Sequence, residues 1–218
     1  MSEGPVKPLR QRLTEADMHR LLFLADGVFA IALTLAALEI RPPQGWDGTV
    51  DGLWARLWPS LSAYFVSFVV IAAFWASHKR VYSRIVRVDA RFTGINLVLL
   101  GLVALIPAAT QLLYEYGARQ GALVIYAGLV AACGLVQLVA WSYAAFFAGL
   151  VDPEVSRRER VGWTLTMLVA PAAFGTVSLL GGRHESNLGL FVAAAAMVAM
   201  GVIRRRLFNR SGHAAQDL

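Results

Sequence analysis

The sequence predicts an all-α membrane protein with six transmembrane helices, on three observations. Of 218 residues, 57% are hydrophobic and 16% charged, with a mean hydropathy of +0.57, which leaves too little polar surface to coat a soluble domain. Apolar runs long enough to cross a hydrocarbon core of about 30 Å, each needing about 20 helical residues, recur along the chain. The loops between them alternate between rich and poor in Lys and Arg, as membrane topology demands.

The first run is RLLFLADGVFAIALTLAALEI at 20–40, and it carries Asp26 about a third of the way in. An acid at the centre of a bilayer costs about 3 kcal/mol even on lenient insertion scales, so Asp26 requires a partner, a cavity or a purpose. Residues 1–19 hold Lys7, Arg10, Arg12, Glu15 and Asp17 without an apolar core, so no cleavable signal peptide is expected. The first span itself then directs insertion. Trp46, Trp54 and Trp58 precede the second run, 57–77, where indoles favour the headgroup layer, and Pro59 suits a first helical turn. Runs three to six follow at 92–113, 121–149, 161–180 and 188–203. Pro107 and Pro171 are expected to kink spans three and five. Short connections leave a single membrane domain, 1–208, and a short tail at 209–218. No internal repeat is apparent.

A sequence pI near 10 is compatible with nucleic-acid binding, but the distribution of charge argues for topology instead. With the amino terminus inside, sixteen of the twenty Lys and Arg fall on inner segments, and only Arg41, Arg56, Arg119 and Arg183 fall outside. That bias fits six helices with both termini cytoplasmic, in the cell membrane. The single cysteine, Cys133, lies inside span four, which excludes intrachain disulfides and leaves it a small packing residue.

At about 100° per residue, Gly27, Ile31, Thr34 and Leu38 share one narrow stripe of the first helix, with Ala30 and Leu35 on its edges. Phe29, Leu33 and Ile40 crowd the opposite side, a bulkier surface suited to packing within the subunit. Asp26 sits about 110° from the centre of the stripe, facing a neighbouring helix. Arg20, six residues earlier, lies about 240° around the helix, so a direct intrahelical pair is poor. The run FWASHKR at 74–80 brings Trp75 and His78 of span two to the same depth, and an Arg20, Asp26 and His78 cluster there would satisfy all three.

These two segments together resemble the transmembrane protein 175 family of potassium channels, whose hallmark is an arginine followed by phenylalanine, serine and aspartate in the first helix. Here the matching residues are Arg20, Leu24, Ala25 and Asp26, with leucine and alanine in place of phenylalanine and serine. The likeness continues through SYFVSFVVIAAFWASHKR, the stretch from Asp89 to Asn96, and LIPAATQLL around Pro107. It covers about the first half of the chain. The resemblance implies six helices per unit, assembly as a homotetramer, and a central pore lined by the first helices. It places a hydrophobic constriction on Ile31, Leu35 and Leu38, and a hydroxyl layer near permeating potassium on Thr34. Arg20, Asp26, Trp75 and His78 become the motif network. Like the family, the chain lacks a TVGYG filter loop; YEYG at 114–117 stands in the wrong context.

The expected function is therefore a potassium-permeable channel for monovalent cations in the lipid bilayer, gated by dewetting of an apolar ring. No cofactor is implied. Glu39, off the stripe, reads as a solvated carboxylate at the outer mouth. The alternative is a proton-coupled secondary transporter in which Asp26 and His78 change protonation. Against it stand a single intramembrane acid and the lack of an inverted repeat. An intramembrane enzyme would need a reactive cluster such as HExxH or paired aspartates, and none occurs in the sequence.

Overall fold

A computed structural model of the chain describes residues 9–38, 40, 45, 48–116, 120–180, 193–196, 198, 199 and 202. It is almost wholly helical: α1 (Leu9–Leu38), α2 (Val50–Tyr82), α3 (Ala90–Tyr116), α4 (Gln120–Ser142), α5 (Arg157–Met167) and α6 (Val169–Leu180). By length and composition, five stretches are able to cross a membrane, namely Glu15–Leu38, Ser60–Tyr82, Ala90–Tyr116, Gly121–Phe147 and Arg157–Leu179. The expected sixth span, 188–203, lies mostly outside the described residues; of it, 193–196, 198, 199 and 202 are helical. The tail at 209–218, Glu39 and Trp46 also lie outside them.

Each boundary has a local cause. The side chain of Thr49 accepts a hydrogen bond from the Gly52 amide and caps α2, with Asp51 in the first turn to favour the helix dipole. This start corrects the expectation for Pro59, which lies inside α2, because the cap nucleates the helix well before the apolar span begins. Trp54 and Trp58 are exposed on that first part of α2 with their rings 5.5 Å apart. Asp89 caps α3, accepting from the Phe92 amide at 2.7 Å. The last turn of α4 widens into a π-helical segment, Tyr143–Phe147, and Gly149 takes a φ of 60° to leave it.

The expected fifth span is interrupted for one residue, Leu168, between α5 and α6. Proline at 171 has no N–H to offer the Met167 carbonyl four residues back, and α5 stops at Met167 with the Leu168 amide bonded back to Thr164 and Thr166 carbonyls. The break serves packing, because Gly134 of α4 lies against it: a Cβ on Gly134 would meet Pro171 Cδ at 2.6 Å. Pro107, by contrast, sits within an unbroken α3.

Helix α3 is the centre of the bundle, packing on α1, α2 and α4, while α4 packs in turn on α6. The main apolar core runs through Val70, Ile71 and Phe74 of α2, Leu99, Val103 and Ile106 of α3, and Tyr126 and Val130 of α4. Cys133 is buried in it as a packing residue. One polar knot is buried there too. Ser67, Thr110 and Tyr126 join three helices through contacts of 2.7 and 3.1 Å, and Thr110 also bonds the Ile106 carbonyl at 2.8 Å. In hydrocarbon such groups are tolerated only when they satisfy one another.

At one end, the α2–α3 and α4–α5 loops are fastened together. Val86 donates its amide to the Leu150 carbonyl at 3.0 Å and Asp152 donates to Arg84 at 2.9 Å, around an isolated bridge between Ile85 and Val151. Arg84 pairs with Glu159 at 2.9 Å and lies 4.5 Å from the Trp163 ring. Arg160 reaches the carbonyls of Ala145, Asp152 and Val155. The two basic loops thus share one end of the bundle, as the alternation of charge requires.

Gly134→Ala is expected to lower the thermal unfolding midpoint in detergent through overpacking worth about 1–3 kcal/mol. Gly101→Ala, whose added Cβ meets nothing within 4 Å, should leave the midpoint unchanged. Equal midpoints for both variants would show that α4 does not depend on its fit to the break.

Candidate functional site

Helix α1 has two unlike faces. Leu21, Ala25, Phe29, Ala32 and Ala36 recur every three or four residues and are buried against the bundle. Mostly small, they let the backbone of α1 approach its neighbours closely, as is common between membrane helices. The other face holds Gly27, Ala30, Ile31, Thr34, Leu35 and Leu38, all exposed within the chain. Ile31 is 58% exposed and Leu38 is 73% exposed, although α1 is among the most hydrophobic of the membrane-length stretches. The stripe foreseen on the helical wheel is therefore the uncovered face, and Phe29 and Leu33 turn inward. Phe29 is the largest buried side chain of that inner face, its ring 5.6 Å from that of His78.

Thr34 is the hydroxyl on the open face. Its Oγ1 lies 3.1 Å from the Ala30 carbonyl and 2.9 Å from the Ile31 carbonyl, so its one proton is directed into the helix. The oxygen lone pairs remain as acceptors on the exposed side.

Asp26 stands at the edge of the same face and is bound by α2: Trp75 Nε1 donates to Asp26 Oδ1 at 2.9 Å. Lys79, one turn on, holds its ammonium 5.5 Å from the centre of the Trp75 ring. The indole is thereby placed between a carboxylate at its N–H and a cation over its face, both favourable to its charge distribution. His78 is 3% exposed. Its ring stacks at 4.4 Å on Tyr82, and its side-chain partner is Asn96 of α3. Asn96 itself donates to the Phe92 carbonyl at 2.8 Å. Asp26, Trp75, His78, Lys79 and Tyr82 line one cleft of about 320 Å³. His78 Nε2 and the Tyr82 hydroxyl are buried there with no hydrogen-bond partner among the described residues.

Arg20 is not brought to this cluster. It lines a separate cleft of about 550 Å³ with Asp17, Leu24, Asp89 and Thr93, in keeping with its offset around the helix from Asp26. Ala25, where the family has serine, is fully buried, and its methyl group needs no polar partner there. Leu24, in place of phenylalanine, is half-exposed beside Arg20.

Three contributors were not singled out from sequence. Asn96 holds His78 from the third helix, and the signal is an amide early in an otherwise apolar run, which needs a partner as much as Asp26 does. Asp89 serves twice, capping α3 and accepting the Tyr143 hydroxyl at 2.8 Å. Tyr114 of α3 donates to the Ala36 carbonyl at 2.9 Å, satisfying one of the orphan groups at the end of α1. Among the described residues no three His, Cys, Asp or Glu side chains gather into a metal site.

Membrane-length helices around a buried polar knot, with an aspartate bound at the edge of an uncovered apolar face, define a polytopic helical-bundle membrane protein. The chain belongs to the TMEM175 family. The family model described as endosomal/lysosomal potassium channel TMEM175 matches residues 20–107. A Streptomyces collinus protein named as a potassium channel is 37% identical over 170 residues, covering 73% of this chain and 82% of that one. The rat protein named endosomal/lysosomal proton channel TMEM175 is 25% identical over 142 residues, which is 63% of this chain but 28% of the rat protein. Among solved structures, the crystal structure of a lysosomal potassium-selective channel TMEM175 homolog from Chamaesiphon minutus superposes with a TM-score of 0.73 at 30% identity, covering 86% of this chain and 97% of that one. These relatives are named channels, not enzymes.

The Trp75 to Asp26 bond gives a testable coupling. In a double-mutant cycle of Trp75→Phe and Asp26→Asn, read by thermal unfolding in detergent, the two losses should overlap by about 1 kcal/mol. Strictly additive losses would mean that the bond does not hold α1 to α2.

Proposed function

We propose that this chain is one subunit of a homotetrameric, potassium-permeable cation channel whose pore is lined by the open face of α1. The observation that carries this reading is the apolar face itself, left uncovered within the chain although the opposite face is packed. One lining helix per chain encloses a conduit only in several copies. The names of the relatives supply the ion.

In this reading Ile31, Leu35 and Leu38 form the constriction, where apolar rings close conduction by dewetting. Thr34 offers an acceptor layer beside them for a permeating potassium ion. One hydroxyl per subunit replaces little of a hydration shell, so the preference for potassium over sodium is modest, and no TVGYG filter is used. Asp26, Trp75 and His78 hold the rotation of α1 that aims this face at the axis, with Arg20 flanking them. Span 188–203 completes six helices, both termini are cytoplasmic, and the protein resides in the cell membrane.

A second reading is kept because animal relatives are named proton channels and because Asp26 and His78 share one cleft. Protons would then move through that pair, in a channel or in a proton-coupled carrier.

Flux into liposomes holding the purified protein tests both. Potassium, sodium and cesium are compared, with a pH-gradient arm. Potassium is expected to pass fastest, and Ile31→Asn to raise flux about tenfold, sodium included, equivalent to ~1.4 kcal/mol off the barrier. No flux in either protein would overturn the channel reading. Transport that requires a pH gradient and is lost in Asp26→Asn would favour the carrier.

A further inference from the structure

Along one row of the open face of α1, side-chain size runs from large to none to large. Phe23, Gly27 and Ile31 follow one another at intervals of one helical turn, and Phe23 is 80% and Ile31 58% exposed. Between them Gly27 presents no side chain, and a Cβ added there would meet nothing within 4 Å. On the helical wheel Phe23 lies about 40° from Gly27, inside the bounds that Ala30 and Leu35 set on the two edges of the stripe. It therefore belongs to the face that carries Ile31, and it is the most exposed large apolar residue of α1.

Phe23 is also where this face stops being apolar. One turn closer to the amino terminus His19 and Arg20 are exposed, and Arg20 lines the cleft beside α3 with Asp17 and Asp89. The family's phenylalanine position is Leu24, which borders that same cleft and lies about 100° around the helix from Phe23. The aromatic ring that this chain does carry is thus turned away from α3 and onto the open face. So exposed a phenylalanine takes no part in the packing of the chain on itself, and its place is not explained by the core. Repeated around an axis, a large apolar side chain makes a narrow, poorly wetted ring, as Ile31 does, and a glycine one turn away leaves a wide one.

We propose, resting on the channel reading above, that Phe23 forms a second apolar ring at the basic-side mouth of the conduit, and that the conduit widens behind it into a chamber at Gly27. Two helical turns separate Phe23 from Ile31, so the rings stand about 12 Å apart, and a cation between them keeps its nearest water. Asp26, at the edge of the face next to Gly27, makes the chamber attractive to cations. Phe23 sets the largest body that reaches the constriction from the basic side, while Ile31 sets what passes it.

The test is the rate at which a thiol in the chamber is modified, measured on the full chain in nanodiscs with Gly27→Cys in a Cys133→Ser background. Two reagents are compared, silver ion and a bulky methanethiosulfonate that carries a trimethylammonium group. Silver is expected to react fast whether or not Phe23 is present, and the bulky reagent to react about tenfold faster once Phe23→Ala is added. Phe23→Trp, which keeps an aromatic ring at the mouth, should leave the bulky reagent slow. Both substitutions fall on an exposed side chain outside the core. Fast silver together with equal rates for the bulky reagent before and after Phe23→Ala would overturn the proposal and leave the channel reading standing. A Gly27→Cys thiol that silver does not reach would remove the conduit from α1, and the channel reading would fall with the proposal.

Discussion

The rotation of α1 about its own axis is the constraint on which the other features depend, and it is held at the middle of the helix and near its end. At the middle, Asp26 accepts the Trp75 indole N–H from α2. Toward the far end, Tyr114 of α3 donates to the Ala36 carbonyl. Between these points Ala25, Ala32 and Ala36 set the backbone close to the bundle while Phe29 keys into it beside His78. A turn of α1 by even one residue, about 100°, would break both bonds, press Ile31 or Thr34 into the core and carry Phe29 out of it.

The acid is tolerated because its environment answers it. A carboxylate within a membrane-length helix is costly unless it is bonded or hydrated, and Asp26 has an N–H donor in Trp75, whose ring face carries a cation, Lys79. His78 is the buried member and is joined to α3 through Asn96, so α1, α2 and α3 meet at one polar depth. Beneath them the loops at 83–89 and 148–156 are fastened by backbone bonds and by Arg84, Arg87 and Arg160. The arginines that mark topology in the sequence therefore also serve as struts, through carbonyls, a carboxylate and the Trp163 ring.

Much of this was legible in the sequence for a physical reason: hydrocarbon allows few solutions. Apolar length located α1 to α4, helical periodicity separated the faces of α1 before any neighbour was known, and the position of Asp26 on the flank pointed to another helix. What periodicity does not carry is the partner across space. Arg20 was grouped with Asp26 and His78 by depth alone, and the structure sets it in a different cleft, since equal depth does not fix direction around a helix. The start of α2 lies ahead of Pro59 because the cap at Thr49 is a local polar cue outside the apolar run. At Leu168 the helix is interrupted for one residue, across which the Leu168 and Ala172 amides still bond four residues back, and a glycine on α4 accommodates Pro171 there. Asp89, Asn96 and Tyr114 enter the sequence reading only as parts of longer stretches, since their importance lies in what they face across space.

The central claim is that the open face of α1 is wetted in the conducting protein, and cysteine accessibility measures it most directly. In a Cys133→Ser background, single cysteines at Ile31 and Leu38 are compared with one at Ile125, an exposed residue of α4, while silver ions are added to liposomes passing potassium. The account predicts rapid block of flux for Ile31→Cys and Leu38→Cys, and none for Ile125→Cys or the background. Undiminished flux through Ile31→Cys and Leu38→Cys in the presence of silver would contradict it, and would remove the pore from α1.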